Sequence, residues 1–279
     1  MILLLTEFSG PFNYLDTGAL YRFFLFLIFL LVLNFPARRY RKKAGGAPEV
    51  CIGWHKIDYF IHFLLFAGAI LSAQLAGFII NYFPGLNLFV RICLVTLIFM
   101  GVLFFLTVFY LKLKISPAAL RQHLGFIFRL DFLVDGVVDY LRFFPLILVV
   151  SAVNFSLLYY FNISWKQTVT YQILMLITGW WEAILIFLLV VIIAPLVEEL
   201  FFRGSFFRLL RSSVSASPAA FVSGFIFALI HFEFYYFPVL LLLGYLLGII
   251  YEESKSLAVP VAFHAFHNML VLVIFYATV

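Results

Sequence analysis

Long, uninterrupted apolar runs leave this sequence few ways to fold. Runs such as 88–111 and 180–202 are at least as long as the stretch of about 20 apolar residues that a helix needs to cross a bilayer. They lack the apolar–polar alternation of membrane β-barrel strands. Because lipid offers the backbone no hydrogen-bond partners, helices are the expected spanning element. The runs therefore predict an all-α, polytopic integral membrane protein.

The composition supports a lipid environment. Hydrophobic residues make up 66% of the chain and charged residues only 11%, whereas a soluble domain is about half apolar and a quarter charged. The net charge of +5 comes from basic residues that cluster in short loops between the apolar runs. Such clustering sets membrane orientation. The lipid bilayer is thus an expected partner, and nucleic acid is not.

Eight spans are predicted, and we interpret them as one membrane domain in three parts. Residues 1–56 hold the first span and a basic loop, 57–179 hold spans two to four, and 180–279 form a helical core. In the middle part, 116–130 and 165–179 are predicted to be amphipathic connecting helices. The predicted spans are 18–35, 57–80, 88–111, 143–161, 180–202, 219–235, 237–251 and 257–278.

The loop charges predict an orientation. Asp16, rather than a positive segment, precedes the first span, so we expect that span to be retained and not cleaved as a signal peptide. The loop 36–56 carries the basic cluster Arg38, Arg39, Arg41, Lys42 and Lys43. The positive-inside rule places this loop in the cytoplasm and the N-terminus outside. No organelle signal is evident, which favours a bacterial inner (plasma) membrane.

Two adjacent carboxylates inside the fifth span point to function. A charged residue at the centre of a span costs about 2.5–3.5 kcal/mol of insertion free energy. The presence of both Glu198 and Glu199 in this span therefore indicates a functional role. Arg203 lies four residues after Glu199, in the favourable order for a helical ion pair. Glu198 is turned about 100° away and is expected to face a cavity. Pro195 predicts a local opening of the helix beside both glutamates.

The later spans add histidines and an amide. His231 lies in the sixth predicted span, where hydrogen bonding to a neighbouring backbone carbonyl is the simpler role. In the last span His264 and Asn268 are four residues apart and share one helix face. A histidine and an amide on one stripe can hold a water, bind a metal or stabilise an oxyanion. His267 lies at the edge of that face and is expected to pack or support the site.

Taken together, these residues provide the groups that attack of water on an amide bond requires. They provide a general base, an imidazole partner and hydrogen-bond donors. Two hypotheses remain open at this point. One is a glutamate-activated water that needs no cofactor. The other is a Zn²⁺ site formed by Glu198, His231 and His264, although the histidines lie on separate spans and the zinc-protease pattern HExxH is absent.

Three short motifs in order resemble a known family. EExxxR at 198–203, FxxxH at 227–231 and HxxxN at 264–268 are similar to those of the CAAX-protease and bacteriocin-processing (CPBP, or Abi) family, which includes the Rce1-like prenyl endopeptidases. The resemblance covers roughly 180–272 and includes the stretch around Gly244 and Gly248. It implies eight helices around an intramembrane catalytic cavity and endopeptidase activity on a protein or peptide substrate at the membrane.

The resemblance also implies roles for individual residues. Glu198 would be the general base that activates water, and His231 would position that water. His264 and Asn268 would form the oxyanion hole. Arg203 would hold Glu199, which would support the site. For the Rce1 branch of the family a metal-free mechanism is favoured.

Two other functions fit an eight-span protein with these residues. A non-catalytic immunity or scaffold protein could share the fold, but it would not need glutamate, histidine and asparagine together within the membrane. A proton-coupled transporter also uses intramembrane acids and histidines. The sequence lacks the paired inverted halves with broken segments that many transporters have. We therefore expect an enzyme.

Overall fold

The protein is a bundle of helices. A computed structural model describes residues 53–124, 130–161 and 169–278, and these ranges contain helices and no strands. The predicted all-α class is thereby confirmed. The helices are α1 (Ile57–Ile80), α2 (Leu88–Lys114), α3 (Pro117–Leu124), α4 (Leu130–Tyr160), α5 (Val169–Leu174), α6 (Trp180–Arg211), α7 (Ala216–Ile230), α8 (Phe237–Ser254) and α9 (Ala258–Thr278).

Six of the described helices are long and apolar enough to cross a membrane, namely α1, α2, α4, α6, α8 and α9. Their outer faces carry large apolar side chains, such as Phe63 and Leu71 of α1, which are 66% and 64% exposed. Such faces require lipid as solvent. The chain is therefore an integral membrane protein. The predicted first span 18–35 and the basic cluster that follows it lie outside the described residues.

The sixth predicted span, 219–235, is wrong in its bounds. Helix α7 runs from Ala216 to Ile230 and has 15 residues. At a rise of 1.5 Å per residue it is about 22 Å long, which is less than the hydrocarbon core of about 30 Å. The chain turns at Phe232, which has a positive φ of 51°. His231 therefore lies at the end of a helix that reaches only part of the way across.

Two other spans are longer than predicted. The fourth, predicted as 143–161, is part of α4, which begins at Leu130, and the fifth, predicted as 180–202, is part of α6, which continues to Arg211. In both cases charged residues lowered the local hydropathy and were interpreted as a boundary. In α6 the helix continues past Arg203, whose charge is fully buried inside the protein.

The predicted connecting helices are shorter than expected. The segment predicted as 116–130 contains helix α3, which ends at Leu124, and residues 125–129 are outside the described ranges. The segment predicted as 165–179 contains only α5, over Val169–Leu174, and its first residues up to 168 are also outside those ranges.

Helix α6 holds the centre of the C-terminal core and contacts α2, α7, α8 and α9. Two π-helical segments interrupt it, Leu188–Ile193 and Phe202–Phe207. The first ends two residues before Pro195, where the sequence predicts a local opening. Segments of π-helix inside α-helices occur frequently at functional sites. The two glutamates lie on the α-helical stretch between these segments.

Helices α7 and α8 pack backbone to backbone. A Cβ atom added to Gly224 would lie 2.6 Å from the backbone nitrogen of Tyr245, and one added to Gly248 would lie 2.9 Å from Cβ of Ala220. Small residues four apart on each helix thus permit the close approach that membrane helices use for packing. This contact brings the carbonyl of Gly244 to Arg203, one of the predicted site residues.

Candidate active site

The predicted ion pair on α6 is present and entirely buried. Nη1 of Arg203 donates to Oε1 of Glu199 at 2.9 Å, and both side chains are 0% exposed. Each buried charge would be very unfavourable alone, so the two depend on each other. The four-residue spacing seen in the sequence positions them on the same helix face.

Arg203 also joins three helices. Its Nη2 donates to the carbonyl oxygen of Gly244 on α8 at 2.9 Å. Its guanidinium carbon lies 4.9 Å from the ring centroid of Phe227 on α7, a cation–π distance. The arginine that neutralises Glu199 therefore also fixes α7 and α8 against α6.

Glu199 orients a histidine from the last helix. Nδ1 of His264 lies 2.9 Å from Oε1 of Glu199. A carboxylate accepts hydrogen bonds and does not donate them, so Nδ1 carries the proton. The other ring nitrogen, Nε2, lies 3.9 Å from Oε2 of Glu198. The buried glutamate thus directs Nε2 of His264 towards its neighbour.

His231 approaches the same carboxylate from α7. Its Nδ1 donates to the carbonyl oxygen of Phe227 at 2.6 Å, since a carbonyl can only accept. Its Nε2 lies 4.0 Å from Oε2 of Glu198. The simpler role predicted for His231, a bond to a backbone carbonyl, is therefore present. That bond uses one nitrogen and leaves the other facing Glu198.

Glu198 is the point on which these groups converge. Its side chain is 14% exposed, and among the described residues no donor lies within hydrogen-bonding distance of its Oε2. The two imidazole nitrogens, at about 4 Å, are too far away for direct hydrogen bonds. A water molecule about 2.8 Å from Oε2 could donate one O–H to Glu198 and the other to one of the two imidazole nitrogens. The arrangement suits a carboxylate that accepts a proton from a bound water.

The same geometry bears on the zinc hypothesis. Two imidazole nitrogens and a carboxylate are ligands that zinc accepts, and at bond lengths of 2.0–2.1 Å tetrahedral ligand atoms lie about 3.3 Å apart. The separations of 3.9 and 4.0 Å from Glu198 are wider than that. Within the described ranges no group of three His, Cys, Asp or Glu side chains could hold a metal ion. The side chains as placed do not fit zinc.

Asn268 contacts α6 at its first π-helical segment. Its Nδ2 donates to the carbonyl oxygen of Val190 at 2.9 Å. Asn268 lies one turn after His264, as the four-residue spacing predicts. An amide has two N–H donors, so the contact with Val190 leaves one for another acceptor.

Sequence reasoning did not find two of the supporting residues. The hydroxyl group of Tyr140 on α4 lies 3.1 Å from Nδ1 of His267, which accounts for the predicted supporting role of that histidine. The carbonyl of Val190 is the acceptor for Asn268. Tyr140 is 127 residues before His267 in the chain, so no local pattern links them. A backbone carbonyl has no signature in a sequence.

A second buried polar cluster near the end of α6 was also missed. We call it the Asp58 cluster, and it consists of Asp58, His62, Tyr110, Lys114 and Ser205. Nε2 of His62 lies 2.7 Å from Oγ of Ser205, and Nδ1 of His62 donates to the backbone oxygen of Asp58 at 2.6 Å. Asp58, His62 and Ser205 are all buried.

Comparison with known proteins supports the motif assignment. Residues 180–270 match the model of the family described as type II CAAX prenyl endopeptidase, Rce1-like. This range contains all six predicted site residues. No solved structure matches the chain at a significant level.

A curated relative is the membrane-embedded CAAX protease MroQ of Staphylococcus aureus (strain USA300). It is 37% identical to this chain over 88 residues, which are 29% of this chain and 36% of the relative. The match therefore spans about a third of the relative's length. Residues 180–270 are therefore similar to the Rce1-like CAAX endopeptidases, as the resemblance to the CPBP family predicts.

Proposed function

We propose that this protein is an intramembrane endopeptidase that cleaves a membrane-associated protein or peptide near its terminus. Glu198 activates the attacking water. The observation that carries the proposal is the convergence of Nε2 of His231 and Nε2 of His264 on Oε2 of Glu198, at 4.0 and 3.9 Å. The match of residues 180–270 to the model of a protease family supports it.

The first step is attack by water. One O–H of the water bonds to Oε2 of Glu198, and the lone pair on Nε2 of His231 accepts the other. Glu198 takes the first proton as the water oxygen bonds to the peptide carbonyl carbon, and the carbonyl oxygen becomes an oxyanion. General base catalysis of this kind contributes about 10²–10⁴-fold in rate.

The oxyanion requires hydrogen-bond donors. The N–H of Asn268 that does not bond to Val190 is one candidate. Nε2 of His264 is the second candidate, in the form of the ring that carries a proton on Nε2. The Nδ1 proton is not available to the oxyanion, because it is bonded to Glu199. The C–N bond then breaks, and protonated Glu198 gives its proton to the leaving amine.

Glu199 and Arg203 are assigned positioning roles. Arg203 neutralises Glu199, and Glu199 sets the ring orientation of His264. Neither has to contact the substrate for this role. Their complete burial is consistent with it, because neither presents a surface to a peptide.

The substrate class is proposed from the site's location. Glu198 lies within a membrane span, so a substrate must reach it from the bilayer or its interface. A protein terminus or short peptide held at the membrane meets this requirement. In the predicted orientation Glu198 and His264 lie toward the cytoplasmic side of a bacterial plasma membrane.

The test compares new protein N-termini in membranes from cells that express the wild type, Glu198→Gln or Glu253→Gln. Glu253 is exposed in the last turn of α8 and serves as the matched control. We expect termini that depend on the protein in the wild type and the control but not in Glu198→Gln. Identical termini in all three samples, with each protein folded, would favour a non-catalytic immunity or scaffold role.

Chelation separates the glutamate mechanism from a zinc-dependent variant of the protease. We expect purified protein to retain its turnover after exhaustive chelation. Loss of turnover on chelation, with recovery on addition of Zn²⁺, would instead support the variant in which Glu198, His231 and His264 move together to bind the metal.

A further inference from the structure

The carbonyl group that holds Asn268 lies in an unusual part of α6. In a π-helix each carbonyl accepts from the N–H five residues later. The segment Leu188–Ile193 follows this rule, because the N–H of Ala194 donates to the oxygen of Leu189. Val190, which accepts from Nδ2 of Asn268 at 2.9 Å, is the next residue.

Pro195 explains why this carbonyl is available. The N–H five residues after Val190 would belong to Pro195, and proline has none. The donor four residues after Val190 is the N–H of Ala194, which is already bonded to Leu189. The carbonyl of Val190 therefore has neither of the two donors that a regular helix would provide. Because a backbone carbonyl without a donor is unfavourable inside a membrane span, it requires a partner from elsewhere.

Asn268 supplies that partner from the last helix. Its side chain crosses from α9 to α6 over a separation of 78 residues in the chain. The contact fixes one of the two N–H groups of the amide, and with it the plane of the amide. A fixed amide plane also fixes the direction of the second N–H, which is how a preorganised oxyanion donor is held before the reaction.

We propose that Pro195 is a positioning residue of the active site: it denies Val190 a helical donor, and the freed carbonyl orients Asn268 for catalysis. This inference rests on the proposed endopeptidase function. It assigns a catalytic consequence to the backbone of Leu188–Ile193, which contacts neither Glu198 nor substrate in the mechanism above. A proline that served only to bend the helix would have no reason to depend on Asn268.

The first test is a double-mutant cycle on stability, which needs no enzymatic activity. In the wild type, Asn268→Ala leaves the carbonyl of Val190 without a donor and lowers the midpoint of thermal unfolding. Pro195→Ala supplies an N–H at the fifth residue, so Asn268→Ala should lower the midpoint less in that background. Equal decreases in the two backgrounds would overturn the proposal.

The second test is the same cycle on turnover. We expect Pro195→Ala to lower kcat about tenfold with little change in KM, because a helical donor competes with Asn268 for Val190. In the Asn268→Ala background, Pro195→Ala should have no further effect on kcat. An unchanged kcat in Pro195→Ala, or an equal decrease in both backgrounds, would overturn the positioning role.

Pro145 provides the matched control. It is a buried proline inside the membrane helix α4. Pro145→Ala should show no coupling to Asn268→Ala in either cycle, and coupling as large as that of Pro195 would overturn the specific link. If the wild type cleaves nothing, the proposed function fails and the catalytic role fails with it. The stability cycle would still decide whether Pro195 and Asn268 are linked through Val190.

Discussion

Two buried polar clusters lie along α6, and they differ in how completely their hydrogen bonds are satisfied. In the Asp58 cluster, Oδ1 of Asp58 accepts from the hydroxyl of Tyr110, Oδ2 accepts from the backbone N–H of His55, and Lys114 contacts both oxygens. In the active-site cluster, Oε2 of Glu198 has no donor within reach among the described residues. A satisfied buried network stabilises the fold, whereas an open acceptor beside open lone pairs can react.

The two clusters also differ in how exposed their side chains are. His62 and Ser205 lie 2.7 Å apart, the distance of a base and a nucleophile in many hydrolases. Ser205 is 0% exposed, so no substrate can reach it. The side chain of His231 is 28% exposed and that of Glu198 is 14% exposed. The pair that resembles a catalytic motif is therefore inaccessible to substrate, and the looser constellation around Glu198 is the one that we propose to be reactive.

The largest expected effect tests the role of Glu198. Glu198→Gln should lower turnover by about 10²–10⁴-fold, because the amide keeps the shape of the side chain but cannot accept the proton of water. The unfolding midpoint should change little. Cleavage of a reporter peptide by purified protein in lipid nanodiscs measures the first quantity, and thermal unfolding measures the second. Turnover at the wild-type rate would remove Glu198 from the mechanism.

Arg203 is expected to affect both fold and activity. Arg203→Ala leaves the buried carboxylate of Glu199 without its counter-charge and should cost about 3–5 kcal/mol of stability. Thermal unfolding together with the yield of folded protein in membranes measures this loss. The comparison variant is Glu199→Gln with Arg203→Met, which removes both charges and should recover part of the stability. A stable, active Arg203→Ala protein would contradict the role assigned to this pair.

Asn268 allows a matched comparison between two amides. Asn268→Ala should lower turnover about 10²–10³-fold, as loss of one oxyanion donor does. The control is Asn154→Ala, since Asn154 also donates to a backbone carbonyl, that of Tyr235 at 2.6 Å. Both variants should lose stability, but only the first should lose kcat. Equal losses of kcat measured on the reporter peptide would show that Asn268 acts through packing alone.

The smallest expected effect tests the Asp58 cluster. Tyr110→Phe removes the hydroxyl that donates to Asp58 and should lower stability by about 1–3 kcal/mol. The kcat of the protein that remains folded should equal that of the wild type. Thermal unfolding and turnover per folded molecule are the two measurements. A selective loss of kcat at unchanged stability would mean that the Asp58 cluster takes part in catalysis and does not serve stability alone.

Local spacing alone could predict part of this protein. Continuous apolar runs predicted helical spans, and 57–80 matches α1 residue for residue. A four-residue spacing predicted the pair of Glu199 with Arg203 and placed His264 and Asn268 on one face of α9. These predictions succeed because the helix repeat relates residues three or four apart, whatever the rest of the chain does. The three-part division and the eight-span count remain predictions.

Only the tertiary structure decided which groups meet across helices. His264 reaches Glu199 over 65 residues, Asn268 reaches Val190 over 78, and His62 reaches Ser205 over 143. Single-sequence patterns carry no record of such contacts, because they depend on how whole helices pack. The α7–α8 contact at Gly224 and Gly244 is an example, since it sets the distance between Arg203 and its backbone acceptor. Helical periodicity therefore determined which candidate residues share a helix face. Helix packing decided which of their atoms are bonded and which still lack a partner.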